Sequence, residues 1–135
     1  MVISGEDTTC YCHQKGCLEQ MASGTAFHQR LDAMGLTFEQ FVERLNMDDE
    51  AAMELASLTV DSMDRALWNL ALFYDVECFI LGGGFMDGFY AVFQRFHNHE
   101  LFNSGLLNVK PTIIPSPLSN EAGMVGAARM VLEGK

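Results

Sequence analysis

The sequence predicts an α/β fold, and three observations carry that prediction. A short apolar run, Val76 to Leu81, delivers the turn Gly82-Gly83-Gly84. A second strand pattern, Lys110 to Ile114, follows one helix-length segment later, and a further helical pattern closes the chain. Upstream lies a long amphipathic stripe. A strand-helix-strand-helix tail of this kind argues for at least two parallel strands covered by helices. Two strands make a poor sheet, so the chain is expected to be part of a larger fold.

The elements read in order as follows. Residues 1 to 4 are expected to form a short strand or its end, and 5 to 17 a polar, cysteine-bearing loop. Leu18 to Leu31 is weakly helical, with Ser23-Gly24 as an interruption. Thr37 is the expected N-cap of a helix whose Phe38, Phe41, Val42 and Leu45 share one face. Asp48 or Asp49 caps the next helix, which carries Met53, Leu55, Ala56 and Leu58. The stripe Met63, Ala66, Leu67, Leu70, Ala71 and Tyr74 keeps the 3- and 4-residue steps of an amphipathic helix. No strong breaker separates these two pieces, so one long helix is a natural reading. Val76–Leu81 then reads as a buried strand. Asp87 is the expected cap of a helix running to Phe102, with Phe89, Val92, Phe93 and Phe96 facing inward and Asn103-Ser104-Gly105 ending it. Prolines 111, 115 and 117 mark the second strand as an edge. The last helix begins near Asn120 or Glu121 and includes Met124, Val125, Ala128, Met130 and Val131.

Composition narrows the function. The 135 residues suffice for one domain, and 49% hydrophobic content with 19% charged residues describes a folded globular chain. Lys+Arg 8 against Asp+Glu 18 gives a net charge of -10. A nucleic-acid binder clusters basic side chains on phosphates, and an anionic membrane attracts the same groups, so both partners are disfavoured. No apolar run approaches the roughly 20 residues of a membrane helix, and the first residues lack a signal-peptide pattern. A cytoplasmic location is expected.

Three of the four cysteines, Cys10, Cys12 and Cys17, lie within eight residues. In a reducing compartment such a cluster reads as a metal site, and thiolates suit structural zinc. Gly16 permits the sharp turn that convergence requires. His13 is the nearest fourth ligand in sequence, although its place beside Cys12 makes convergence awkward; a histidine from outside the loop serves equally. The alternative is a set of buried, reduced cysteines without metal. Glu19 follows the cluster, either as a helix-start acid or as an acceptor for substrate hydroxyls. Gly82, Gly83 and Gly84 remove every Cβ at the carboxyl edge of a strand, where open α/β proteins bind ligands. The triplet can meet a phosphate or base, or can simply be a tight turn. Gly123 and Gly126 read as small residues for close packing. His97 and His99 read as surface or helix-end histidines. Trp68 and the phenylalanines read as core, and the 9 methionines as adaptable packing with a partner-facing surface.

Three blocks, Cys10-x-Cys12-x4-Cys17-Leu18-Glu19-x3-Ser23-Gly24, Ile80-Leu81-Gly82-Gly83-Gly84 and Asn120-Glu121-Ala122-Gly123-Met124-Val125-Gly126-Ala127-Ala128, resemble the ROK family of repressors, open-reading-frame proteins and sugar kinases. The resemblance implies an incomplete C-terminal lobe of an actin-like or hexokinase-like ATPase, a ribonuclease-H-like fold. Within it, 1–19 would be the zinc-type loop, 20–74 helical and 75–135 the strand-helix-strand-helix part. Cys10, Cys12 and Cys17 match three zinc ligands. The fourth would be a histidine in a Glu-x-Gly-His segment ahead of Met1, and His13 stands where the family usually has glycine. Glu19 matches a carboxylate that contacts sugar hydroxyls, and Gly82, Gly83 and Gly84 match the turn on the adenosine side of the ATP cleft. The family's Asp-x-Gly-Gly phosphate loop and catalytic aspartate lie outside these residues. The implied function is therefore a C-terminal portion of a hexose or N-acetylhexosamine kinase, inactive as an isolated chain and binding Mg-ATP only when the fold is completed. Alternatives are the sugar-sensing domain of a transcriptional repressor and a non-catalytic dimerising lobe. A homo-oligomer is expected.

Overall fold

Polar caps set the helix boundaries. In the computed structural model, which describes residues 1–134, α1 (Leu18–Ala22) stops at Ser23 and α2 (Gly24–Ala33) starts from it. Ser23 Oγ accepts the Ala26 N–H at 3.1 Å. α3 (Phe38–Asn46) opens on Thr37, whose hydroxyl accepts the Gln40 N–H while the Gln40 side chain accepts the Thr37 N–H at 2.9 Å. Both orphan donors are thus satisfied reciprocally. Thr37→Ala is expected to lower stability by about 1 kcal/mol. A urea midpoint shifted at constant slope would show it, and an unmoved midpoint would contradict it.

The two helical patterns after Asp49 are a single helix, α4 (Glu50–Tyr74), with Asp49 Oδ1 accepting the Ala52 N–H at 3.0 Å. Its packed face includes Leu55, Val60, Leu67 and Ala71. Thr59 and Ser62 are buried on the same helix and return their hydroxyls to the carbonyls of Leu55 and Leu58. The helix ends at Asp75, in the left-handed region at φ 49°. Its last turn is bare: Phe73 and Tyr74 are exposed, contrary to the expected inward stripe and core phenylalanine, because the helix outruns the elements that cover it.

β1 (Cys78–Leu81), α5 (Gly84–Phe96) and β2 (Thr112–Pro115) form one parallel β-α-β unit, with Cys78 opposite Thr112 and Leu81 opposite Pro115. Single 3-10 turns occupy Leu101–Asn103 and Ser119–Glu121, and α6 (Ala122–Leu132) closes the chain. α5 starts at Gly84, three residues before Asp87, with Gly83 as its N-cap, and stops at Phe96 rather than Phe102. Asp87 is instead a first-turn acid that accepts a hydrogen bond from the Ser119 hydroxyl. β1 is not buried: Phe79 and Leu81 are half-covered, whereas Ile80 is 63% exposed. Only one face of this small sheet is packed by helices. The expected strand at 1–4 reduces to one antiparallel bridge between Val2 and Cys17. No residue of α6 is buried, and Gly123 and Gly126 face open space rather than a close neighbour.

The core sits between α2, α3, α4 and α5. Phe27, Phe41, Phe89 and Phe93 are its largest fully buried side chains. The Phe27 ring meets Phe41 edge-on at 5.1 Å and Phe89 at 5.0 Å, a favoured aromatic geometry. Trp68 is half-buried, edge-on to Phe102.

Candidate functional site

The cysteine loop is folded by its own backbone. An antiparallel bridge joins Thr9 to Lys15, Cys10 N–H donates to the Gln14 carbonyl at 2.9 Å, and His13 N–H donates to the Cys10 carbonyl at 2.9 Å. Gly16 turns the chain at φ 68°, and a methyl group there would stand 2.1 Å from the Ser4 carbonyl oxygen. Only glycine meets both demands.

This folding brings the three predicted thiols together. The Sγ atoms of Cys10, Cys12 and Cys17 all lie within 4.8 Å of one another, and those of Cys12 and Cys17 are 3.5 Å apart. Thiolates about 2.3 Å from a tetrahedral zinc stand about 3.8 Å from each other, so the donor set fits that ion. Cys10 and Cys17 are buried and Cys12 is exposed. His13 is absent from the cluster; it occupies a left-handed turn position at φ 63°. Thus the described residues supply three ligands, and the loop gives no support to His13 as the fourth.

The thiols differ in acidity. The Gln14 backbone N–H holds the Cys12 thiol below its ordinary value, with help from the Cys17 thiol. Cys17 is pushed up to about 11, chiefly by its hydrogen bond to Cys12 and then by desolvation. Cys12 is thus the more acidic thiol of this hydrogen-bonded pair.

Two residues beyond Cys17, Glu19 is exposed in the first turn of α1. It lines a concavity of about 410 Å³ together with Leu18, Ala22, Met63, Leu67 and Leu81. Gly82, Gly83 and Gly84 line a neighbouring concavity of about 500 Å³. Ala22, Met63 and Leu81 belong to both walls. Acid and glycine turn therefore line two adjoining concavities, beside α1, α4 and the carboxyl end of β1.

The glycines have a packing reason as well. A Cβ on Gly82 would stand 2.8 Å from Ser116 Cβ, and one on Gly84 would stand 2.6 Å from the Asn120 amide nitrogen. Gly83, at φ 96°, is the residue from which α5 departs. The turn is thus tight because the segment after β2 crosses it, and Cβ-free because of that crossing.

One pair escaped the sequence reading. His97, expected at the surface, has a side chain only 6% exposed and contacts Asp64, which is 3% exposed, at 2.5 Å. Asp64 also accepts the Asn98 N–H at 2.8 Å. The available signal was a carboxylate between Val60 and Leu67 on the buried stripe of α4.

A parallel β-α-β unit with a helical flank and concavities at the strand's carboxyl end define an α/β protein. The ROK hexokinase from Thermus thermophilus superposes with a TM-score of 0.76 at 20% identity, over 100% of this chain and 47% of that one. A ROK family transcriptional regulator, a homolog of the E. coli MLC protein, superposes with a TM-score of 0.63 at 16% identity, over 95% of this chain and 36% of that one. The ROK family model matches residues 1–134, and the chain belongs to the ROK family. An N-acetylmannosamine kinase from Vibrio cholerae is 29% identical over 89 residues, which are 62% of this chain and 30% of the relative. The chain thus spans less than half the length of the relatives it matches. Among the described residues, no helix is long and apolar enough to cross a membrane.

Proposed function

We propose that this chain is the C-terminal portion of an ATP-dependent sugar kinase acting on a hexose or N-acetylhexosamine, and that alone it transfers no phosphoryl group. The observation that carries this reading is the pair of adjoining concavities, Glu19 lining one and Gly82–Gly84 the other, with Ala22, Met63 and Leu81 common to both. Glu19 accepts hydrogen bonds from sugar hydroxyls; a carboxylate acceptor strengthens such bonds and orients the sugar. Gly82, Gly83 and Gly84 give the nucleotide a wall without side chains. Cys10, Cys12 and Cys17 hold a structural zinc, which supplies no step of the reaction and fixes the loop that ends at Glu19. Phosphoryl transfer additionally needs Mg-ATP charge held in line and a base on the acceptor hydroxyl, so turnover requires the completed fold. The protein works in the cytoplasm and forms a homo-oligomer through this part, where α6 exposes Met124, Met130 and Val131.

The test is amide NMR on the 135-residue chain titrated with N-acetylmannosamine, glucose and ATP. One of the sugars is expected to shift residues around Glu19 saturably, with the response lost in Glu19→Gln, and ATP to shift Gly82–Gly84 only once the upstream lobe is supplied. A chain indifferent to both sugars would end this reading. A second reading, the sugar-sensing part of a transcriptional regulator, is supported by the superposition on the MLC homolog. Sugar binding without any response to ATP once the upstream lobe is supplied would favour it.

A further inference from the structure

On the far end of α5 from the glycine turn lies a separate cavity of about 400 Å³, between the helix, β2 and the segment that joins them. We propose that it binds a small organic carboxylate with an apolar body. The volume falls within the usual range for small-molecule sites. Its walls are made by Phe93, Phe102, Pro111 and Ile113, a lining that favours an apolar body.

Charge selects the rest of the ligand. His97, His99 and Lys110 line the cavity and no Asp or Glu does, in a chain holding 18 acidic residues against 8 Lys+Arg. Asp64 accepts from the His97 ring and from the Asn98 N–H. A carboxylate only accepts, so the ring gives Asp64 its Nδ1–H and its Nε2 is then an acceptor, which leaves the Lys110 ammonium as the donor to an anion. His97 also stacks on Phe93 at 5.0 Å and meets the His99 ring edge-on at 4.5 Å, so its orientation is fixed before any ligand arrives. Lys110 Nζ donates to Asn103 Oδ1 at 2.7 Å; an ammonium has three N–H groups, so two are left for an anion.

A carboxylate fits this donor set better than a phosphate does. Phosphate sites draw on several converging backbone N–H groups. Here the amide hydrogens of His97, His99 and Thr112 are committed to the carbonyls of Phe93, His97 and Glu77, and Pro111 has none. One ammonium matches a single negative charge, while the aromatic wall takes the ligand's hydrocarbon part.

Benzoate is the probe, followed by side-chain NMR of His97, His99 and the Ile113 methyls in the full 135-residue chain. Benzoate is expected to shift these signals saturably, and Lys110→Gln to weaken its binding at least fivefold while the signals of the Phe27 core stay in place. Lys110→Arg is expected to restore most of the affinity. Neutral benzamide and inorganic phosphate, at equal concentration, are expected to leave the three residues unmoved. Absence of a saturable benzoate response overturns the site. A benzamide response equal to that of benzoate reduces the cavity to an apolar void, and an equal phosphate response overturns the carboxylate class. A change of less than fivefold in Lys110→Gln overturns the role of the ammonium. None of these outcomes bears on Glu19 or the glycine turn, so the two sites stand or fall separately.

Discussion

Freshly reduced protein is expected to carry one equivalent of zinc per chain, and Cys17→Ser is expected to carry none. The three Sγ atoms lie within 4.8 Å of one another before any ion is considered, so little ordering opposes metal uptake. Structural zinc contributes on the order of 10 kcal/mol to the domains that hold it, and a site left with two thiolates loses most of that. Cys17 is the decisive ligand because of what it joins. It is 3% exposed, its backbone bridges Val2, and α1 with Glu19 begins at the next residue. Loss of metal should therefore free the loop and displace Glu19, leaving the core of α2 to α5 in place. The pH dependence has a definite sign. With its thiol raised to about 11, metal-free Cys17 is protonated through neutral pH, and zinc must displace that proton. Zinc affinity is therefore expected to rise with pH below that value and to weaken in acid. Elemental analysis of wild type, Cys17→Ser and the exposed control Cys78→Ser checks the stoichiometry, and zinc titrations at two pH values check the sign. Metal-free wild type, or a Cys17→Ser protein that keeps its zinc, would remove the metal centre.

Much of this fold was legible because the information was local. Thr37 and Asp49 stand in front of apolar periodicity and cap the helices expected there, Asp49 rather than its alternative Asp48, while Ser23, read only as an interruption, caps α2. The cysteine loop was legible for a similar reason: thiols two and five residues apart with a glycine between them have few ways to fold. Errors gathered where a neighbour decides the outcome. The apolar run at 76–81 suggests burial, yet burial of a strand depends on both faces being covered, and here one is open. Asp87 looked like a cap because its side chain suits one, but Gly83 lets the helix begin earlier, at a φ few other residues adopt. Phe102 was assigned to α5 although His97 already breaks the helix at ψ 129°. That break exists because His97 turns inward to Asp64, 33 positions away, a pairing that local pattern alone does not reveal.

That distant pair supports the second large expectation. Asp64→Ala is expected to destabilise the chain by about 3 kcal/mol or more, well beyond the cap substitution at Thr37. The carboxylate joins α4 to the end of α5 by accepting the His97 ring N–H at 2.5 Å and the Asn98 N–H at 2.8 Å. Its removal leaves two donors unpaired in a buried setting, each costing about 1–3 kcal/mol, and opens a small void beside them. Asp64→Asn should cost less, for a reason specific to imidazole. An amide keeps one acceptor for the Asn98 N–H and turns an N–H₂ toward His97; the ring can then move its proton to Nε2 and accept at Nδ1. The expected signature is a tautomer change in the His97 nitrogen shifts of Asp64→Asn, together with a stability between those of wild type and Asp64→Ala. If the two variants were equally unstable, or if Asp64→Ala unfolded at the wild-type denaturant midpoint, the pair would not be holding the helices together. The consequence reaches the glycine turn. α5 is fixed at one end by this pair and departs at the other from Gly83, beside the wall shared with Glu19, so slack at His97 is expected to appear as broadened Gly82–Gly84 amide signals in the same Asp64→Ala protein.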